Sequence, residues 1–168
     1  MQLQLAMPLL CLTQRDFMTD IQFNDQIFRE FIEELVPKYQ HSAVLSALDA
    51  NETDEKFFDS IGLSLTGEQA HTGFILLTGT NLQHDNPSLW GAIKKELFDF
   101  LCTKSKKYSN ERKDGSATIK QLILIIATSL AAQFHIAIGV VIGAVTVALM
   151  SCLKITTNAW CEINKSND

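Results

Sequence analysis

Apolar side chains recur at helical spacing in the first part of the chain. Asn24 can cap a helix that runs to Val36, and Pro37 ends it because proline cannot continue a helix. Residues three and four positions apart form a single apolar stripe: Phe28, Phe31, Ile32, Leu35 and Val36. One face of this helix is therefore expected to lie on a hydrophobic core.

Three further helices are predicted in the first hundred or so residues. One spans residues 41–50, and another spans residues 53–62, where a glycine ends it. Asn86 followed by Pro87 marks the start of the third, because an N-cap followed by proline favours helix initiation. With the first helix, these elements predict an acidic helical domain over residues 1–103.

The longest uncharged stretch of the chain follows this predicted domain. Residues 121–153 run for 33 positions without a formal charge. Gln133 and His135 belong to the one strongly polar interruption, which predicts a hairpin of two helices over residues 119–158. The second arm has the length of about 20 residues that crosses a bilayer, whereas the first arm is shorter. The sequence thus predicts a mainly α fold, in which a small helical N-terminal domain precedes an apolar helical hairpin or transmembrane helix.

Small residues are spaced four apart in the second arm of this hairpin. Gly139 and Gly143 form a GxxxG pattern, and small residues at this spacing let two helices approach closely inside lipid. The predicted helix-association ridge consists of Gly139, Gly143, Ala144, Val147 and Ser151. The protein is therefore expected to self-associate through its apolar helix.

A helix that is apolar on every face must be buried on every face. Membrane insertion is the leading interpretation, with Lys120 and Lys154 reaching the lipid headgroups at the two ends of the run. The alternative is a soluble all-helical interaction module whose hairpin is buried in its own core or in a partner. In an assembly, His135 could line a pore or sense pH; otherwise it is a polar turn residue between the arms.

Charge is divided unevenly along the chain. Residues 1–93 carry thirteen acidic and four basic side chains, whereas residues 94–118 carry four acidic and seven basic ones. The acidic part disfavours nucleic acid, which binds basic surfaces, and is expected to receive a protein partner in the cytoplasm. The basic residues could contact anionic headgroups of membrane lipid, and they are Lys104, Lys106, Lys107, Arg112, Lys113 and Lys120. The other interpretation is a solvated polar linker over residues 104–118; residues 159–168 are predicted to form a polar tail.

The four cysteines show neither zinc-site nor disulfide-framework spacing. They are scattered along the chain and include no CxxC pair: Cys11, Cys102, Cys152 and Cys161. Because the chain shows no secretory signal, reduced thiols in a cytosolic setting are expected.

Candidate catalytic chemistry is sparse. Glu68 and His71 are three residues apart and His84 follows, so a metal or hydrolase site is a third hypothesis. A single such pair lacks the further ligands of a carboxylate-bridged site, and surface residues without a ligand are expected instead. The sequence contains no motif for catalysis or cofactor binding. We therefore expect a non-enzymatic membrane-associated protein with a partner-binding domain and an oligomerising apolar helix, which could perturb membranes.

Overall fold

The computed structural model describes residues 21–68, 88–113 and 118–165. This part of the chain is 80% helical and contains no strand, so the predicted mainly α fold is confirmed. The helices in chain order are α1 (Asp25–Leu35), α2 (Lys38–Asp49), α3 (Glu55–Leu65), α4 (Leu89–Leu101), a 3-10 turn (Lys106–Tyr108), α5 (Ser109–Lys113), α6 (Ile119–Phe134), α7 (Ile138–Ile155) and α8 (Thr157–Asn164).

The first helices follow the local signals of the sequence, with two differences. The Asn24 side chain accepts a hydrogen bond from the Ile27 amide, so α1 begins and ends as predicted. α2 begins at Lys38, three residues earlier than predicted, because Pro37 leads directly into its first turn. The predicted end of α3 at Gly62 is wrong, since the helix continues to Leu65.

A tertiary contact explains why α3 passes through Gly62. A Cβ atom at this position would overlap the ring of Trp90 in α4, so the glycine lets the two helices approach closely and does not end α3. For α4, Ser88 provides the N-cap by accepting from the Gly91 amide. The predicted start at Asn86 and Pro87 lies outside the described residues.

The hairpin predicted within the uncharged run is confirmed. Thr118 and Gln121 form a capping box at the start of α6. His135 ends α6 in the left-handed conformation, with φ of 55° and ψ of 40°, and α7 begins three residues later. The second arm ends at Ile155, because Thr156 takes a positive φ and separates α7 from α8.

The helix α7 occupies the centre of the fold. It packs against α2, α3, α4, α6 and α8, and every one of its residues from Val141 to Cys152 is buried. Helices on both sides of residues 104–118 contribute to the same hydrophobic core. Its large side chains from outside the hairpin include Phe28, Phe31, Ile32, Phe58, Ile93, Phe100 and Trp160.

Among the described helices, α7 is the one with the length and apolar composition needed to cross a membrane. Its apolar stretch comprises 18 residues, of which 67% are buried inside the protein. The helix α7 is therefore long enough to cross a bilayer, and it also forms the core helix of the bundle.

The expectation of reduced thiols is wrong for two of the cysteines. Cys102 and Cys161 form a disulfide that joins the end of α4 to α8, with their Cα atoms 5.7 Å apart. The two residues are 59 positions apart in sequence, so only the tertiary packing brings them together. Cys152 is a buried free thiol, and Cys11 lies outside the described residues.

Candidate functional site

The predicted helix-association ridge packs inside the protein. Ala144, Val147 and Ser151 are buried within the core. Gly143 faces α2, where a Cβ atom would overlap the amide oxygen of Gln40 and lie 3.3 Å from Val44 Cγ2. Small size at position 143 therefore serves the close approach of α2 to α7 within one chain.

Gln40 joins the first turns of α2 and α7. Its side chain is 2% exposed, and its Nε2 donates to the carbonyl oxygens of Gly139 and Val140 over 3.0 and 3.2 Å. Its Oε1 is buried against Gly143 without a hydrogen-bond partner. Tyr39 adds a bond from its hydroxyl to the Gly139 carbonyl at 3.3 Å. The sequence carried no signal for this contact, because Gln40 lies just before the predicted second helix.

Lys154 joins the last turns of the same two helices. Its Nζ donates to the carbonyl oxygens of Ala47, Leu48 and Ala50 over 3.0, 2.7 and 2.6 Å. These carbonyls end α2, where a helix presents unpaired acceptors and partial negative charge. The ammonium also lies 5.1 Å from the ring centroid of Phe23. In this structure Lys154 therefore bonds to α2, which the sequence-based expectation of headgroup contact did not anticipate.

These contacts show that α2 and α7 run parallel and are fastened at both ends. Gln40, with Tyr39 beside it, fastens the first turns, and Lys154 fastens the last turns. We call the pair of Gln40 and Lys154 the α2–α7 clamp. The buried apolar stretch of α7 lies between the two clamp residues. Separating α7 from the bundle therefore requires breaking polar contacts at both ends as well as exposing apolar surface.

The polar residues at the hairpin turn are exposed. Gln133 and His135 lie at the surface, and His135 is the left-handed turn residue itself. Near this turn the first residues of α7 are also partly exposed, with Ile138 at 39% and Val140 at 40%. Tyr39 beside them is 73% exposed. The turn end of the hairpin thus presents an uncharged and partly apolar surface.

Two of the predicted basic residues form ion pairs within the protein. Lys107 donates to both carboxylate oxygens of Glu96 over 2.6 and 2.7 Å, and Lys120 pairs with Glu34 at 2.9 Å. Lys104 and Lys106 are exposed, whereas the side chains of Arg112 and Lys113 lie outside the described residues.

Tyr108 fixes the middle of this basic segment to the core. Its side chain is 3% exposed and donates a hydrogen bond to Glu96. Burial and the Glu96 carboxylate raise the pKa of Tyr108 above its ordinary value. The residues around Tyr108 are therefore anchored to the bundle.

Glu68, the candidate metal ligand, caps α4 in the structure. Its two oxygens accept from the amides of Leu89 and Trp90 over 2.7 and 2.9 Å, and Thr66 donates to it over 2.7 Å. Burial raises the pKa of Glu68, but these hydrogen bonds outweigh it and the net pKa is lowered.

The other two residues of the metal hypothesis cannot be placed relative to this carboxylate. His71 and His84 lie outside the described residues. Within the described ranges, no group of three or more His, Cys, Asp or Glu side chains could hold a metal ion. The contacts of Glu68 in the structure are those of a residue that caps the start of α4.

Comparison with known proteins adds no assignment to this geometry. No protein-family model, curated protein or solved structure matches the chain. The arrangement that remains to be explained is therefore a membrane-length helix that is clamped to α2 at the centre of a helical bundle.

Proposed function

We propose that the protein is a non-enzymatic membrane-associating protein that stores its apolar hairpin inside its own bundle and releases it into lipid. One observation carries the proposal: α7, which is long and apolar enough to cross a bilayer, is the helix that five others cover. Outside them lies α1, an amphipathic helix that packs on α2 and α6 and exposes acidic residues such as Glu30 and Glu33. Such helices suit a water-facing shell around a stored apolar segment.

The energies involved require the bundle to open before insertion. The nine leucine, isoleucine and valine residues of α7 would favour insertion by about 0.3 to 0.6 kcal/mol each, or about 3 to 5 kcal/mol together. A folded domain is stable by about 5 to 15 kcal/mol. The free energy of inserting α7 alone therefore does not exceed the free energy of unfolding of a fully stable bundle. Under this proposal α7 moves into lipid only when the bundle is weakened.

Release would also free the helix-association ridge. In the bundle, Gln40 fills the space beside Gly143, so the glycine is not available to a second chain. Once α7 leaves α2, Gly139 and Gly143 can meet the same residues of another copy, which is how GxxxG patterns support association in lipid. Self-association is thus proposed for the released state. The acidic helices would remain at the cytoplasmic face, on the side of the basic residues.

A second candidate function is a soluble interaction module whose hairpin is a permanent core. The α2–α7 clamp favours it, because the side chains of Gln40 and Lys154 donate their hydrogen bonds to carbonyl groups of the same chain. Residues 21–68 contain ten carboxylates and three basic side chains, so the partner would be a basic protein surface.

Vesicle flotation of the full-length protein without detergent separates the two functions. The test compares the wild type with Gly62→Ala, which forces a Cβ into the Trp90 ring, and with Gly91→Ala, whose Cβ would have 3.3 Å to its nearest neighbour. Using phosphatidylcholine–phosphatidylglycerol vesicles, we expect Gly62→Ala to float to a greater extent than the wild type and Gly91→Ala to match the wild type. If all three proteins stay monodisperse and none floats, the storage function is wrong and the permanent core is favoured.

A further inference from the structure

The helix α8 is a short element that covers part of α7. It contacts both α7 and α4, and its Trp160 is buried in the core with 1% of its surface exposed. Asn164 at its end donates to Glu55 of α3 over 2.9 Å. Because α8 has eight residues and starts directly after α7, the part that it covers is the C-terminal part of α7.

The junction between α7 and α8 is strained. Thr156 has a φ of 90° and a ψ of 137°, a conformation that is costly for a β-branched residue. No side-chain hydrogen bond caps the start of α8. The position of α8 is therefore maintained by its tertiary contacts against the local preference of the backbone.

The one covalent contact of α8 is the disulfide between Cys161 and Cys102. Both cysteines are half-buried, whereas Cys152 is fully buried in α7. A thiolate can attack a disulfide only where it can reach a sulfur atom, and Cys102 and Cys161 are the partly exposed cysteines among the described residues. The bond fastens the middle of α8, five residues after Thr156, to the end of α4.

We propose that the Cys102–Cys161 disulfide is a redox modification site whose reduction by a dithiol frees α8 from α7. One thiolate of the dithiol attacks the sulfur of Cys161, the Cys102–Cys161 bond breaks, and Cys102 leaves as a thiolate that takes up a proton. The second thiol of the reductant then attacks the mixed disulfide and releases Cys161 as a thiol. Two electrons and two protons pass to the protein, and the reductant becomes a disulfide.

Reduction would let Thr156 relax and α8 move away from the core. The C-terminal part of α7 would then be exposed, which supplies the weakening of the bundle that the storage function needs. This consequence for membrane insertion rests on the proposed function, but the redox control of α8 does not.

Hydrogen exchange of the full-length protein, measured with and without dithiothreitol, tests the proposal. We expect peptides covering residues 144–164 to exchange at least tenfold faster after reduction, while peptides from α1 and α2 keep their rates. The Cys102→Ser/Cys161→Ser variant should exchange like the reduced protein and be insensitive to dithiothreitol. The Cys11→Ser variant is the matched control and should respond as the wild type does.

The outcomes are distinguishable from those of the proposed function. Equal exchange in the two redox states overturns the redox control of α8, and so does faster exchange along the whole chain, which marks a purely structural disulfide. Free thiols at Cys102 and Cys161 in protein kept under air also overturn it. Faster exchange of residues 144–164 after reduction, with no flotation in the vesicle test, supports the redox site and contradicts the storage function. Flotation in the vesicle test, with no faster exchange after reduction, supports the storage function and contradicts the redox site.

Discussion

The contact between Gln40 and Gly143 gives the sharpest test of how α7 is held. Replacing Gly143 by Ala would normally stabilise a helix by up to about 1 kcal/mol. Here the new Cβ overlaps the amide oxygen of Gln40, so the glutamine has to move. Its two bonds to the carbonyls of Gly139 and Val140 are then lost, at about 1 kcal/mol each. Forced repacking of a core adds about 1 kcal/mol or more.

We therefore expect Gly143→Ala to lower the free energy of unfolding by about 2 kcal/mol or more. In a Gln40→Ala background the overlap with the glutamine is gone and the 3.3 Å contact with Val44 Cγ2 remains, so the same substitution should be neutral or stabilising by up to about 1 kcal/mol. The coupling energy of this double-mutant cycle should be about 2 to 3 kcal/mol. Urea denaturation of the two single variants, the double variant and the wild type measures it.

Gly139→Ala is the matched control for this cycle. A Cβ at position 139 would lie 3.4 Å from Pro37 Cγ, which is ordinary contact, so stability should change by no more than about 0.5 to 1 kcal/mol. If Gly143→Ala is at least as stable as the wild type, α2 and α7 do not pack as described. The same holds if the effects of Gly143→Ala and Gln40→Ala on the free energy of unfolding are additive.

Three further predictions concern the ends of helices. Lys154→Met should lower the free energy of unfolding by about 2 to 3 kcal/mol, because three carbonyls lose a charged donor; Lys120→Met, which removes an exposed ion pair, should cost below about 1 kcal/mol. Because the folded pKa of Glu68 is lowered, its carboxylate contributes fully above the ordinary value of 4.5 and loses this contribution as pH falls through the folded pKa. The stability advantage of the wild type over Glu68→Gln should therefore shrink in acid urea titrations, and a constant difference would contradict this role. Thr156→Gly should raise the thermal midpoint, because relief of the backbone strain adds about 1 kcal/mol to the free energy of unfolding. An unchanged or lower midpoint would show that Thr156 is not strained.

Local signals predicted the helices more successfully than the contacts between them. The Asn24 cap, the stop at Pro37 and the break at His135 depend on a few neighbouring residues, so the sequence was enough to locate them. The continuation of α3 through Gly62 depends on Trp90, which is 28 positions away in sequence. No local pattern reports such a contact.

The candidate site was predictable only in part. The uncharged run and its small residues singled out α7, and these residues are central to the fold. Its partner α2 could not be inferred, because Gln40 and Lys154 gain their roles only when two distant helices lie parallel. For the same reason Glu68 was expected to be a surface residue, with a metal ligand as the weaker hypothesis, whereas it caps a helix that begins 21 residues later.

Hydrogen exchange of the oxidised full-length protein in buffer without detergent tests the central claim most directly. If α7 is stored inside the bundle, the amides of residues 141–152 should be among the slowest in the chain, in protein that stays in the high-speed supernatant. Rapid exchange across these residues, or protein that remains in solution only with detergent, would contradict the account.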